Sequence, residues 1–169
     1  MELLDVYNSN GKTTGKVVPR ETKDEEFGKD EHIAIAIIYI QNSQGEFLIQ
    51  KTSSVKGSIY SSTGGHVAHG ETPKETIIRE TKEEIGLDIC DENIIDLGHI
   101  CVDFPVRFIF YLRKDINIED LVLDKDEVES MHYFTKEELE KIIEEGKMHK
   151  GHIFVLKKVL EFTNKSLIK

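Results

Sequence analysis

Residues 33–40, IAIAIIYI, contain no polar group other than one tyrosine hydroxyl. A strand with one wet face alternates apolar and polar residues, so a run this uniform belongs in the middle of a sheet that is covered on both faces. Such a strand needs a layer of helices on each side, which already restricts the chain to layered α/β architectures. The run is also far shorter than the roughly 20 apolar residues that a membrane-spanning helix needs. The opening MELLDVYN carries no basic segment of the kind that begins a secretory leader.

The rest of the chain fits around that strand. Residues 3–18 read as two short strands about Asn10-Gly11, both of which tolerate the positive φ of a tight hairpin, so 1–20 form an N-terminal β-ribbon. The charged stretch 21–32 is a solvated connection. NSQGEFLIQK turns back beside the central strand, and SVKGSIYSSTGG, 54–65, has the composition of an exposed, shaped loop. β-Branched and aromatic residues at 94–102, 106–113 and 128–134 predict three further strands. Thr135 with Glu138 forms a capping-box pattern for a helix over 136–145 that Gly146 ends. Ile153, Val155, Leu156 and Leu160 predict a last helix over 152–162. The order predicts one α/β domain over 1–169, a mixed sheet flanked by helices.

Charge restricts the partners. With 22 basic and 32 acidic side chains the formal charge is -10, which repels a nucleic-acid duplex; a small phosphorylated substrate remains compatible if cations bridge it to the acidic groups. Cys90 and Cys101 have neither zinc-motif nor disulfide-framework spacing and read as two reduced thiols. The expectation is a cytoplasmic protein with no membrane partner.

The segment RETKEEIGL, Arg79 to Leu87, raises a physical problem. Thr72 can cap a helix, Pro73 fits its first position, Glu75 completes a reciprocal capping box, and Gly86 suits the left-handed position after Ile85. On that helix Ile77, Ile78, Thr81 and Ile85 share a packing arc, while Glu80, Glu83 and Glu84 share the neighbouring one. Glu83 and Glu84 lie in the last turn, where the helix dipole disfavours anions by about 0.3–1 kcal/mol each. A hard divalent cation, which prefers oxygen ligands, converts this repulsion into shared attraction. Arg79, four residues before Glu83, can hold one carboxylate in place. Clustered glutamates alone do not establish such a site, because KEELEKIIEEGK, 136–147, also ends Glu-Glu-Gly.

The surrounding pattern is more specific. GGHVAHGETPKETIIRETKEEIGL resembles the signature of the Nudix hydrolase family, with its fixed places at Gly65, Glu71, Arg79, Glu80, Glu83, Glu84, Gly86 and Leu87. Thr81 departs from the aliphatic residue usual in that family, although its methyl can still face the core. LLDVYNSNGKTTGKVVPR and GEFLIQK are similar to the branch that contains isopentenyl diphosphate isomerase. The resemblance implies a Nudix-type α/β/α sandwich in which the box forms loop, helix and loop. It implies Mg2+ or Mn2+ held by Glu80, Glu83, Glu84 and the Gly65 carbonyl, with Arg79 and Glu71 bracing the loop. The implied reaction is hydrolysis of a diphosphate linkage in a nucleoside diphosphate joined to another group. One of Glu80, Glu83 and Glu84 is implied as general base, and Glu127 or Glu129 as an additional base or ligand. A homodimer is common in that family and no feature of this sequence marks one.

His66 and His69 occupy variable places in the box and read as loop or surface residues. Tyr60, Phe104 and Phe108 are candidates to stack a nucleobase, with core packing the competing role. Two other functions remain open. An isomerase of the isopentenyl type would need a cysteine just before the box, where SSTGGH stands instead. A regulator that binds nucleotides without turnover would keep the fold and lose the carboxylates.

Overall fold

The computed structural model describes residues 1–89 and 93–167. Strands β1 (Leu3–Tyr7) and β2 (Thr13–Pro19) form an antiparallel ribbon. The main sheet comprises β3 (Ala34–Gln41), β4 (Phe47–Thr52), β5 (Tyr60–Ser61), β6 (Thr63–His66), β7 (Ile95–Cys101), β8 (Val106–Arg113) and β9 (Val128–Phe134). Helix α1 (Pro73–Ile85) lies between β6 and β7, and α2 (Lys136–Glu144) and α3 (Lys150–Leu167) follow β9. The sheet is mixed: β3 and β8 run parallel in register from Ala34↔Val106 to Gln41↔Arg113, and its other pairings are antiparallel.

Strand β3 is central, as its composition requires. Ala34, Ala36, Ile38 and Ile40 face one core with Ile77 and Ile85 of α1; Ile37 and Tyr39 face a second core with Leu139 of α2 and Val155, Leu156 and Val159 of α3. Both faces are therefore dry, and each fully buried isoleucine contributes about 1.5–3 kcal/mol. Helix α1 thus approaches the sheet from one side and α3 from the other. The strands β3 and β4 pair only beside their hairpin, at Ile40↔Leu48 and Gln41↔Phe47. Further along, β3 takes β6 as its partner and β4 takes β5 and β9.

Several expectations are corrected. The 54–65 loop contains a 3-10 turn over Ser54–Lys56 and the short strands β5 and β6, with Ser61, Ser62 and Thr63 buried. The box accordingly starts on a strand rather than in a loop, because Gly64 and Gly65 pair with Ile37 and Ala36. At the start of α1 the Thr72 hydroxyl oxygen accepts from the Glu75 N–H, but Glu75 meets the Thr72 hydroxyl instead of its backbone, so the capping box is half closed. The ribbon turn uses positive φ at Gly11 and not at Asn10, and spans Asn8 to Lys12. Helix α3 is longer than its apolar pattern indicated. Among the described residues, no helix is long and apolar enough to cross a membrane. Cys101 is a free thiol, and Cys90 lies outside the described residues.

Candidate functional site

A cavity of about 380 Å³ opens beside the ends of β3 and β6, lined by residues of α1 and by His152 of α3. Gly65, Arg79, Glu80, Glu83, Glu84 and Glu127 all line it, so the structure brings together six residues that the sequence spreads over 63 positions. Glu71 stands one step behind, joined to the cavity through Arg79.

Arg79 organises the acidic side. Its Nε donates to Glu71 Oε2 at 2.6 Å and its Nη2 to Glu71 Oε1 at 2.9 Å, a bidentate pair. Its Nη1 reaches Glu80 Oε1 at 3.0 Å and Glu83 Oε2 at 3.1 Å. The pairing with Glu83 agrees with the helix spacing; the stronger partner is Glu71, which also accepts from the Thr76 hydroxyl at 2.8 Å. The guanidinium beside Glu71 holds that carboxyl below its ordinary range.

The three helical glutamates do not share one environment. Glu83 is open to solvent, its side chain 56% exposed, whereas Glu84 is 9% exposed and its Oε2 has no hydrogen-bond partner. Burial, reinforced by the charges of Glu80 and Glu127, pushes the Glu84 carboxyl up to about 9. Burial also raises Glu80, although Arg79 opposes the shift. An unpartnered buried carboxylate oxygen is costly, by about 1–3 kcal/mol or more.

Gly86 explains how further acids reach the cavity. Its φ is +70°, and a Cβ there would lie 2.9 Å from the Val122 backbone. The chain at 122–124 can therefore cross the end of α1, where Val122 N–H donates to the Ile85 carbonyl and Asp124 N–H to the Glu84 carbonyl. This satisfies the last helical carbonyls and carries Asp124 and Glu127 to the cavity rim. Glu127 also pairs with Lys56 at 3.4 Å, while Glu129 pairs with Lys51 at 3.5 Å and does not line the cavity.

The donor set suits a hard divalent cation: it consists of oxygens, one buried oxygen is unpartnered, and a Cβ on Gly65 would collide with the Glu80 carboxylate, so only glycine lets that side chain lie against the β6 backbone. Among the described residues, however, no three Asp, Glu, His or Cys side chains already converge as a cage. Glu80 and Glu83 are turned toward Arg79.

Some residues that the sequence left aside also line the cavity. His66 does so from the end of β6, which corrects its reading as a loop or surface residue; His69 instead joins the ribbon, with Nδ1 2.7 Å from Asp5 Oδ1. The ribbon contributes Glu2 and Arg20, and α3 brings His152, with His149 just before its first residue. Nothing in local sequence spacing links these positions to the box. Tyr60 packs edge-on against Phe134, Phe104 against Phe27, and Phe108 against Tyr7, and none of the three lines the cavity.

A mixed sheet between helices, with an arginine-braced acidic helix over its strand ends, defines an α/β/α hydrolase fold of the Nudix type. The NUDIX domain model matches residues 30–157. The chain is 31% identical over 156 residues to a Nudix hydrolase of Listeria monocytogenes, covering 86% of this chain and 87% of that one. It is 24% identical over 107 residues to the NAD-capped RNA hydrolase NudC of Pseudomonas putida, over 63% of this chain but only 38% of NudC. The solved structure of DR0079 from Deinococcus radiodurans superposes with a TM-score of 0.75 at 22% identity, covering 93% of this chain and 97% of that one. The chain belongs to the Nudix family and is a pyrophosphohydrolase.

Proposed function

We propose that the chain hydrolyses, with Mg2+ or Mn2+, the diphosphate linkage of a nucleoside diphosphate joined to another group. The observation that carries this reading is Glu84 Oε2: a buried, unpartnered carboxylate oxygen in a cavity that also holds Glu80, Glu83 and Glu127. Glu80, Glu83, Glu84 and the Gly65 carbonyl would hold the metal, which when bound supplies charge neutralisation of the diphosphate and activation of water.

The chain's own residues do the rest. Glu71 anchors Arg79, and Arg79 sets the positions of Glu80 and Glu83. Glu127, poised on the rim beside Lys56, is the candidate to accept a proton from the attacking water, with one of the helical glutamates as the other candidate. Such a substrate is also compatible with the similarity to NudC. The free Cys101 thiol fits a reducing cytoplasm.

The isomerase reading is disfavoured because Cys101 sits beside His32 and is not among the cavity residues. Incubation with Mg2+ and a panel of nucleotide sugars, dinucleotides, nucleoside triphosphates and isopentenyl diphosphate tests the assignment. Phosphate-containing products from a nucleoside diphosphate conjugate support it. Metal uptake with no product from any compound would instead point to the regulator.

A further inference from the structure

The carboxylates that would hold a metal cannot themselves grip a phosphoryl group, because carboxylate and phosphate oxygens both only accept hydrogen bonds. The cavity therefore needs donors. Its cationic side chains are already engaged: Arg79 with Glu71, Glu80 and Glu83, Arg20 with Glu2 at 2.7 Å, and Lys56 with Glu127. Two histidines are placed differently.

His149 and His152 both line the cavity, their ring centroids 5.0 Å apart. His152 Nδ1 lies 3.2 Å from the Ser62 N–H and 2.7 Å from the Ser62 hydroxyl. A backbone N–H can only donate, so this Nδ1 is an acceptor. His149 Nδ1 accepts from the Gly151 N–H at 3.1 Å. A neutral imidazole carries one ring proton, so in both rings it resides on Nε2. Burial of His152 and partial desolvation of the more exposed His149 oppose protonation of the rings, and so does the charge of Arg107, a buried residue on β8. Arg107 is pressed against the backbone that joins the two histidines: a Cβ on Gly151 would lie 2.8 Å from its Nε. Among the described residues, no backbone donor comparably fixes the tautomer of His66.

We propose that His149 and His152 are paired neutral Nε2–H donors that bind a phosphoryl oxygen of the diphosphate in the cavity they share with Glu80, Glu83 and Glu84, and that Ser62 is a positioning residue that fixes the His152 tautomer. The proposal rests on the diphosphate reading above. Neutral donors suit the task because they attract phosphate oxygen without repelling the cation that the carboxylates would hold, as a lysine there would.

The test uses calorimetry on the full chain with Mg2+ alone and then with methylenediphosphonate, which is not hydrolysed. His149→Leu and His152→Leu should each weaken diphosphonate binding about tenfold, the loss expected for one charge-assisted hydrogen bond. His149→Gln and His152→Gln, whose amide can donate from near the Nε2 position, should stay within about threefold of the parent, and Mg2+ uptake alone should be unchanged in all four. Parent-like binding by both Leu variants, or an equal loss in the Gln variants, overturns the proposal. Nitrogen-15 ring shifts of the unsubstituted protein give a second reading that no folding defect can confuse. Protonated Nε2 in both rings, moving on addition of diphosphonate, supports the proposal, and protonated Nδ1 or unmoved signals overturn it. Mg2+ uptake without diphosphonate binding would sink this inference and leave the metal site standing; uptake of neither would sink both.

Discussion

Arg79 meets Glu71 through two hydrogen bonds, Nε to Oε2 at 2.6 Å and Nη2 to Oε1 at 2.9 Å, across the loop that leads into α1. Held in this way, the guanidinium offers a fixed Nη1 to Glu80 and Glu83. Glu71→Gln should keep the fold but loosen this hold. We expect turnover to fall about 10- to 100-fold, as for other residues that orient metal ligands, with a stability loss of about 1–2 kcal/mol in urea. Unchanged turnover would refute the bracing role.

Glu84→Gln should lower turnover by orders of magnitude while raising stability. The Glu84 carboxyl is pushed up to about 9, so its folded-state pKa lies above its ordinary 4.5. For an acid shifted upward, the unfolded chain gives up its proton first. Stability is then fully present below about 4.5 and is lost as pH rises toward 9. In EDTA, the parent chain should unfold at lower urea on going from pH 5 to pH 9, and Glu84→Gln should flatten that slope. An equally steep slope in the variant would refute the assignment.

His152 should produce the opposite trend on the acid side. Burial pushes its imidazole down to about 3, below its ordinary 6.5, so the unfolded chain binds the extra proton between those values. Stability present above about 6.5 is lost as pH falls toward 3. Melting temperatures at pH 7 and pH 5 should differ less in His152→Gln than in the parent.

The adjacent glycines Gly64 and Gly65, where the box begins, should fail for different reasons. A Cβ on Gly64 would lie 2.5 Å from the Ala36 carbonyl oxygen, which is backbone and cannot yield. Gly64→Ala should therefore destabilise the fold by about 1–3 kcal/mol. The corresponding Cβ on Gly65 meets the Glu80 carboxylate, a side chain that can swing away. Gly65→Ala should fold nearly as well and lose metal affinity, read by calorimetry with Mn2+.

Glu127 and Glu129 are two residues apart, yet only Glu127 lines the cavity. Glu127→Ala should lower turnover at least tenfold, and Glu129→Ala should stay within about twofold. Equal effects would remove Glu127 from the chemistry.

The contrast between these two glutamates shows where the sequence stops. The unbroken apolar run along 33–40 specified a strand dry on both faces, and the turn residues and caps specified where α1 and α2 start and end, because these are consequences of local backbone geometry. The box fixed which carboxylates share a helix for the same reason. Local spacing could not tell that Glu84 is buried and Glu83 exposed, since that depends on how α1 packs against β3 and β6. Nor could it tell that Arg20, His149 and His152 reach the same cavity, because they arrive on a ribbon and on a helix from the far face of the sheet. Periodicity and capping act over a few residues and are written in order along the chain; the cavity is closed by contacts between elements far apart in sequence, and only packing decides which of those meet.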